Sequence, residues 1–298
     1  MTLQQLITLG ITASLVAMVF SLGLKTATGD LLYLVRRPVK LVRSIFAMNV
    51  VMLIFAVAVA LLFELAIEIK IALIALAVSP VPPILPGKQT KAGGTQSYAL
   101  SLLVLASIAA IALVPVSIEI VGRIFHAEFH MPVARVLQPV LVTVIAPVVL
   151  GVAVRWLLPT TAERMAHPIS VFAIVLLVVA CIPVVITSGM TFWTQVGDGV
   201  VVFLILFTAL GLAVGHLLGG PEADNRTVLA LATGTRHPGV AMAIASLNFP
   251  DAKAAASVML WHLVIGAIVS IPYVRWRRAQ HAKIAATEPD LQKNGNSQ

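Results

Sequence analysis

Residues 226–248 read RTVLALATGTRHPGVAMAIASLN, an apolar run with Gly234, Pro238 and Gly239 at its centre and Arg236 and His237 between them. The run is long enough for a helix crossing a bilayer, because ~30 Å of hydrocarbon takes roughly 20 apolar residues. Its middle does not suit an unbroken helix, since a proline removes a donor and clashes with the preceding turn. A second stretch has the same character. Residues 69–94 read IKIALIALAVSPVPPILPGKQTKAGG, and Pro80, Pro82, Pro83 and Pro86, followed by Gly87, cannot continue a helix. Non-helical backbone at membrane depth survives only where it is buried in protein or lines a cavity. Each stretch alone is open to a reading as one kinked helix. Together they read as paired broken helices meeting at a midplane site, the pattern of secondary transporters built from inverted repeats.

Working outward, nine apolar stretches have spanning length: about 4–25, 39–63, 67–86, 98–121, 133–158, 168–190, 199–219, 226–248 and 253–274. Helices are the assignment for all of them, because a backbone in lipid must satisfy its own polar groups. The expected fold is therefore an all-α integral membrane protein of about nine transmembrane helices. Residues 1–275 form one polytopic unit, and 276–298 form a polar cytoplasmic tail, with no fixed structure expected from Arg275 onward. The two broken spans lie five apart in order and so run in opposite directions, as an inverted repeat requires. On that reading spans 1–4 correspond to spans 6–9, and span 5 has no counterpart.

Composition supports this class. The chain is 59% apolar and only 11% charged, with a mean hydropathy of +1.01. Soluble domains carry about 25% charged residues, so this surface is not one that water alone solvates. The net charge of +8 does not point to nucleic acid, because the basic residues sit in short loops and the tail. Fifteen Lys and Arg fall on one side of the nine spans and four on the other, with Arg236 left over inside a span. The positive-inside rule then places the N-terminus outside and the C-terminus in the cytoplasm of a cell membrane. The first apolar stretch lacks a basic n-region and is read as a retained span rather than a signal peptide. A single cysteine, Cys181, lies inside an apolar span, which excludes a disulfide or a thiolate metal cluster within one chain.

Several segments resemble the bile acid:sodium symporter superfamily. They are SLGLKTATGDLLYLVRRPVKLV at 21–42, the Pro/Gly-rich break at 79–88, the following YALSLLVLAS at 98–107, GTRHPGVAMAIA at 234–245, and Trp261-His262 with Gly266. Their order and spacing together carry the resemblance, which covers nearly the whole chain and corresponds to the family's nine-span form. It implies a panel domain and a core domain, two broken helices crossing in the core beside the substrate, and alternating access for small or amphipathic organic anions.

The sequence departs from the family where sodium is held. Sodium-coupled members carry approximately Glu-x-Gly-x-Gln-Asn-x-Gly in the second break. Matching Gly234 and Gly239 puts the Glu at Ala232, the Gln at Arg236 and the Asn at His237. The Asn of the first break falls on or near Lys88. Hard cations need oxygen ligands, and a fixed positive charge repels them. The twelve acidic residues all lie in loops, at span ends or in the tail, so none is placed at midplane to balance Arg236. Sodium at the family's sites is therefore doubted, and no other cofactor or metal is implied.

An intramembrane arginine is costly and marks function by default. Two compatible readings of Arg236 are open: it bonds the carbonyl ends of the broken helices in place of sodium, or it pairs with an anionic substrate through its five donors. Thr233, Thr235 and Ser101 are candidate donors to a substrate, although membrane hydroxyls commonly bond their own backbone. His237 is either a proton carrier or a neutral hydrogen-bonding side chain. His262 is either a site residue or a packing partner beside Trp261. Lys88 is either a site cation or solvated with Lys91. Pro82, Pro83, Pro86, Gly87, Gly234, Pro238 and Gly239 supply the backbone of the crossover. His126, Glu128 and His130 have a metal-like spacing in a loop but no helical support, and are not read as a metal site. No nucleotide, serine-hydrolase or zinc-protease signature is present.

The expected function is secondary active transport of a small organic anion, without the family's sodium pair. Alternatives are a sodium-coupled organic anion symporter and, from another class, a membrane-embedded enzyme. The partners implied are the solute and the lipid bilayer.

Overall fold

A computed structural model describes residues 3–195 and 199–295. Among them the secondary structure is helical, in eleven principal helices: α1 (Leu3–Lys25), α2 (Pro38–Leu62), α3 (Ile67–Val78), α4 (Leu85–Lys91), α5 (Gln96–Ile124), α6 (Val133–Leu157), α7 (Pro159–Gln195), α8 (Val200–Leu218), α9 (Ala223–Gly234), α10 (Pro238–Asn248) and α11 (Lys253–Gly295). Seven of these, α1, α2, α5, α6, α7, α8 and α11, are long and apolar enough to cross a membrane. The other two predicted spans are each divided, as α3–α4 and α9–α10.

The breaks fall where proline chemistry puts them. Ser79 is the extended C-cap of α3 and its hydroxyl donates to the Leu76 carbonyl at 2.8 Å. The chain stays non-helical through Pro80–Pro83, and Pro86 then sits in the first turn of α4, where its missing donor costs nothing. Gly234 ends α9, residues 235–237 are non-helical with Thr235 and His237 extended, and Pro238 opens α10 with His237 as its N-cap. The His237 N–H donates to the Pro80 carbonyl at 3.0 Å, joining the two interruptions directly. On one side of that bond α3 packs against α10, and on the other α4 packs against α9. Gln89 fastens the second pair, its Nε2 donating to the Val228 carbonyl at 2.7 Å.

Two groups of helices surround this crossing. α1, α6 and α7 pack on one another, and α1 meets α6 backbone to backbone where a Cβ on Gly151 would stand 2.5 Å from the Phe20 carbonyl oxygen. The remaining helices enclose the crossing, with α8 against α9 and α11, and α11 against α3 and α10. We refer to the first group as the panel and to the second as the core. α7 meets α11 and α5 meets α6 along the seam between them.

Two spans carry π-helical turns, Phe46–Val51 in α2 and Leu141–Ile145 in α6. A π turn loosens the regular carbonyl ladder and often marks a functional position. The turn in α2 faces the core, in contact with α8 and α9.

The C-terminal tail corrects the sequence expectation. α11 does not end with the span but continues as backbone helix to Gly295. Its first polar turn is docked: buried Arg277 donates to Thr227 Oγ1 and to the Ala223 carbonyl, each at 2.7 Å, and Arg278 donates to the Lys91 carbonyl at 2.8 Å. Charged donors find carbonyls at the start of α9 and the end of α4, which composition alone does not reveal.

Candidate functional site

A cavity of about 400 Å³ lies on the seam where the two breaks face the panel. The core wall comes from Pro82–Leu85 and Lys88, from Gly234, Thr235 and His237–Gly239, and from His262, Leu263 and Gly266 of α11. Ile11 and Leu15 of α1, with Leu177 and Cys181 of α7, form the panel wall. Most of this lining is apolar, so a solute here meets a greasy wall with a few polar points, the usual composition of a small-molecule site.

Those polar points are Thr235, His237, His262 and Lys88. His237 uses Nδ1 to accept from the Val240 N–H at 3.4 Å, capping α10. That bond fits a neutral ring. Both ring nitrogens of His262 are buried without a hydrogen-bond partner among the described residues, and the ring stands edge-on to Phe207 with centroids 5.3 Å apart. A buried polar atom left unpaired demands explanation, since such groups are normally bonded to protein, water or ligand. Lys88 is half-buried, and its Nζ donates to Ser270 Oγ at 2.6 Å, while Ser270 in turn donates to the Ala267 carbonyl. His262, Gly266 and Ser270 recur every four residues and so share one face of α11.

Arg236 is not on the cavity wall. It is fully buried behind the crossing, where NH1 donates to the Ser79 carbonyl at 3.2 Å and NH2 to the Met48 carbonyl. The first acceptor is the buried C-terminal end of α3, and the second belongs to the π turn of α2. A cation is favoured at a helix C-terminus by the partial negative charge of unpaired carbonyls. Ala232, one turn away on α9, is buried and apolar. The guanidinium thus ties the end of α3 to the π turn of α2.

Two sequence candidates serve the scaffold. Thr233 donates to the Leu229 carbonyl of its own helix at 2.8 Å. Ser101 donates to the Leu31 carbonyl at 2.9 Å and accepts from the Leu34 N–H at 3.0 Å, pinning the loop after α1 to α5. Of the crossover residues, Gly87 needs no explanation by close approach, because a Cβ there would meet nothing within 4 Å. His126, Glu128 and His130 line an open cleft at the end of α5, away from the crossing.

The sodium bile acid symporter family model matches residues 12–216. The chain belongs to that family. Symporter-family proteins are transporters rather than enzymes, and the apolar helices make this one a multi-pass membrane protein. Curated relatives include the P3 protein of Bos taurus, 29% identical over 164 residues, and that of Homo sapiens, 26% identical over 162 residues. Each alignment covers 52% of this chain and 33% of the relative, so the chain spans about a third of the length of these relatives.

Within this symporter-family fold, three features were not singled out from the sequence. Met48 contributes only a carbonyl, which no side-chain motif advertises. Ser270 was legible as the i+8 neighbour of His262. The third is the run GLAVGHLLG at 211–219, whose glycines recur every fourth residue. A Cβ on Gly211 would stand 2.6 Å from Gly234 Cα, and one on Gly215 would stand 2.4 Å from the Leu229 carbonyl oxygen. Small residues at this spacing let membrane helices approach backbone to backbone. Here they seat α8 on α9 directly beneath the second break.

Proposed function

We propose that this chain is a secondary transporter of a small organic anion, working by alternating access of the panel against the core without the family's sodium pair. The observation that carries the reading is Arg236, a buried guanidinium bonded to Ser79 and Met48 carbonyls at the junction of the two breaks. A sodium ion there would have to share that carbonyl cluster with a permanent cation, which Coulomb repulsion opposes. Because the charge belongs to the protein, it does not travel with solute, so it supplies structure and field but no coupling energy.

The solute occupies the cavity between the breaks and the panel. Among the described residues Lys88 is the one lysine or arginine on that wall, and His262, His237 and Thr235 supply polar contacts. The protein sits in the cell membrane with the ends of α4 and α11 on the cytoplasmic side and the N-terminus outside, crossing nine times if each broken pair counts as one pass. The fifteen-to-four distribution of Lys and Arg supports this orientation.

The second reading is sodium-coupled symport, favoured by the family match over residues 12–216. One experiment separates the two: uptake of a panel of organic acids into proteoliposomes, in Na⁺ or K⁺ at constant ionic strength, with and without a pH gradient. Uptake of an organic anion at equal rates in the two salts is the expected result. Strong stimulation by Na⁺ would return the assignment to sodium symport, and no uptake of any anion would remove the solute class.

A further inference from the structure

A second cleft, of about 420 Å³, continues the panel–core seam toward the end of α4. Four cations line it: Lys25 of α1, Lys88 and Lys91 of α4, and Arg278 of α11, joined by Gln96, Thr90 and Ser170. Among the described residues no carboxylate is on its wall. The acidic residues of the surrounding loops are engaged elsewhere: Asp30 accepts from Ser97 Oγ and the Ala27 N–H, Glu222 from Lys40 and Asn225, and Asp224 lies 3.6 Å from His281. Lys25 comes from the panel, whereas Lys88, Lys91 and Arg278 come from the core. Arg278 is held in place by its bond to the Lys91 carbonyl.

Basic residues at the end of a membrane helix often do no more than set topology. That role requires neither a cavity nor convergence of three separate helices upon it. A concave cleft lined by one sign of charge focuses its field and concentrates counter-ions roughly 10- to 1000-fold. Lys88 lines this cleft and the central cavity alike, so the two are adjacent stations on one route.

We propose that this cleft is a second anion site, which takes a carboxylate, sulfate or phosphate group at the cytoplasmic mouth, with Lys88 as the cation common to both stations. Its role in loading or unloading the central cavity rests on the transport reading above. Anion binding itself does not.

The test uses the full-length protein in nanodiscs of zwitterionic lipid, with Cys181→Ser to remove the native thiol and Ser170→Cys to place one on the cleft wall. The new thiol is reacted with an anionic and a cationic methanethiosulfonate of similar size. The anionic reagent is expected to lead by roughly tenfold or more. That lead should shrink in Lys25→Gln/Lys91→Gln, a pair of exposed side chains whose change leaves the thermal transition in place. Inorganic phosphate, added at constant ionic strength, should slow the anionic reagent. Slowing only when phosphatidylglycerol is built into the nanodisc would identify a lipid headgroup as the anion, with the site intact. Equal rates for the two reagents, or no slowing by either phosphate or phosphatidylglycerol, would overturn the proposal. None of these readouts requires transport, so failure of the solute reading and failure of this site are distinguishable.

Discussion

The backbone N–H of His237 donates to the carbonyl of Pro80 at 3.0 Å, so each interruption satisfies part of the other's broken hydrogen-bond ladder. Because the bond is between backbones, it survives side-chain substitution. What His237 adds is its cap on α10 through Nδ1. His237→Asn should therefore keep most of the stability, and His237→Ala should cost up to about 1 kcal/mol, as loss of an N-cap does. Thermal unfolding in detergent, compared across the three proteins, checks this. Equal transitions for Ala and wild type would show that the cap carries nothing.

The glycine contacts divide the crossover into positions that need glycine and positions that do not. Gly215→Ala must push α8 off α9, because the new Cβ would stand 2.4 Å from a backbone oxygen that cannot move alone. Overpacking of this kind costs roughly 1–3 kcal/mol, and folded yield should fall with it. Gly87→Ala adds a Cβ that meets nothing within 4 Å and replaces a poor helix former within α4, so it should be neutral or slightly stabilising. A destabilised Gly87→Ala with a normal Gly215→Ala would reverse this division.

Breaks and spans were legible in the sequence because their causes are local. The proline cluster at 80–86 and Pro238 between Gly234 and Gly239 interrupt their helices, whereas single prolines such as Pro115 and Pro183 stay inside α5 and α7, and 59% apolar residues in long runs leave little alternative to membrane helices. What these residues touch was not legible. Arg236 could be identified as an unbalanced cation, but its acceptors are carbonyls of Met48 and Ser79, more than 150 residues away and without side-chain signature. Ser101 was a reasonable site candidate by its position after the first break, yet its hydroxyl is consumed by the loop after α1. Hydropathy likewise made the tail look loose, since Arg277 and Arg278 declare their partners only once α4 and α9 are folded together.

On the outer surface of the core, Lys40 at the start of α2 donates to Glu222 at the N-cap of α9 at 2.9 Å. That hydrogen bond, with a second from Asn225, holds the Glu222 carboxyl well below the usual range, at about 2. A depressed folded-state value means the stabilisation is present above the ordinary pKa of 4.5 and is lost as pH falls toward 2. Glu222 is more than half exposed, so screening should keep Glu222→Gln within about 1 kcal/mol at neutral pH. Unfolding of the two proteins should converge near pH 2, and a difference that grows on acidification would contradict the assignment.

Cys181 provides a native reporter of the central cavity, being the chain's single cysteine and part of its panel wall. A small neutral maleimide should label it, and an organic acid that is taken up should slow the labelling. Leu177→Trp, on the same wall, should slow labelling without any solute by filling the space. Labelling that no transported acid affects would place the solute elsewhere.

The last prediction concerns Arg236 itself. Its guanidinium gives two charge-assisted hydrogen bonds, to the Ser79 and Met48 carbonyls, and each such bond contributes roughly 1.5–3 kcal/mol. Arg236→Ala removes both bonds and leaves the buried junction of α2, α3 and the second break without its tie, so the protein should fold poorly or unfold at markedly lower temperature. Arg236→Lys keeps the charge but not the planar fork that reaches α2 and α3 together, and should recover only part of the loss. Transport by the unmodified protein should be indifferent to replacing Na⁺ by K⁺. The pair Ala232→Glu with Arg236→Gln introduces a carboxylate on α9 and an amide oxygen at the second break, ligands of the kind a hard cation prefers. That double variant should gain stability in Na⁺ over K⁺, read as a rise in its thermal transition, even if Lys88 in the first break keeps uptake slow. A sodium-stimulated wild type would refute the replacement, and a double variant equally stable in both salts would show that the carbonyl cluster alone does not make a sodium site.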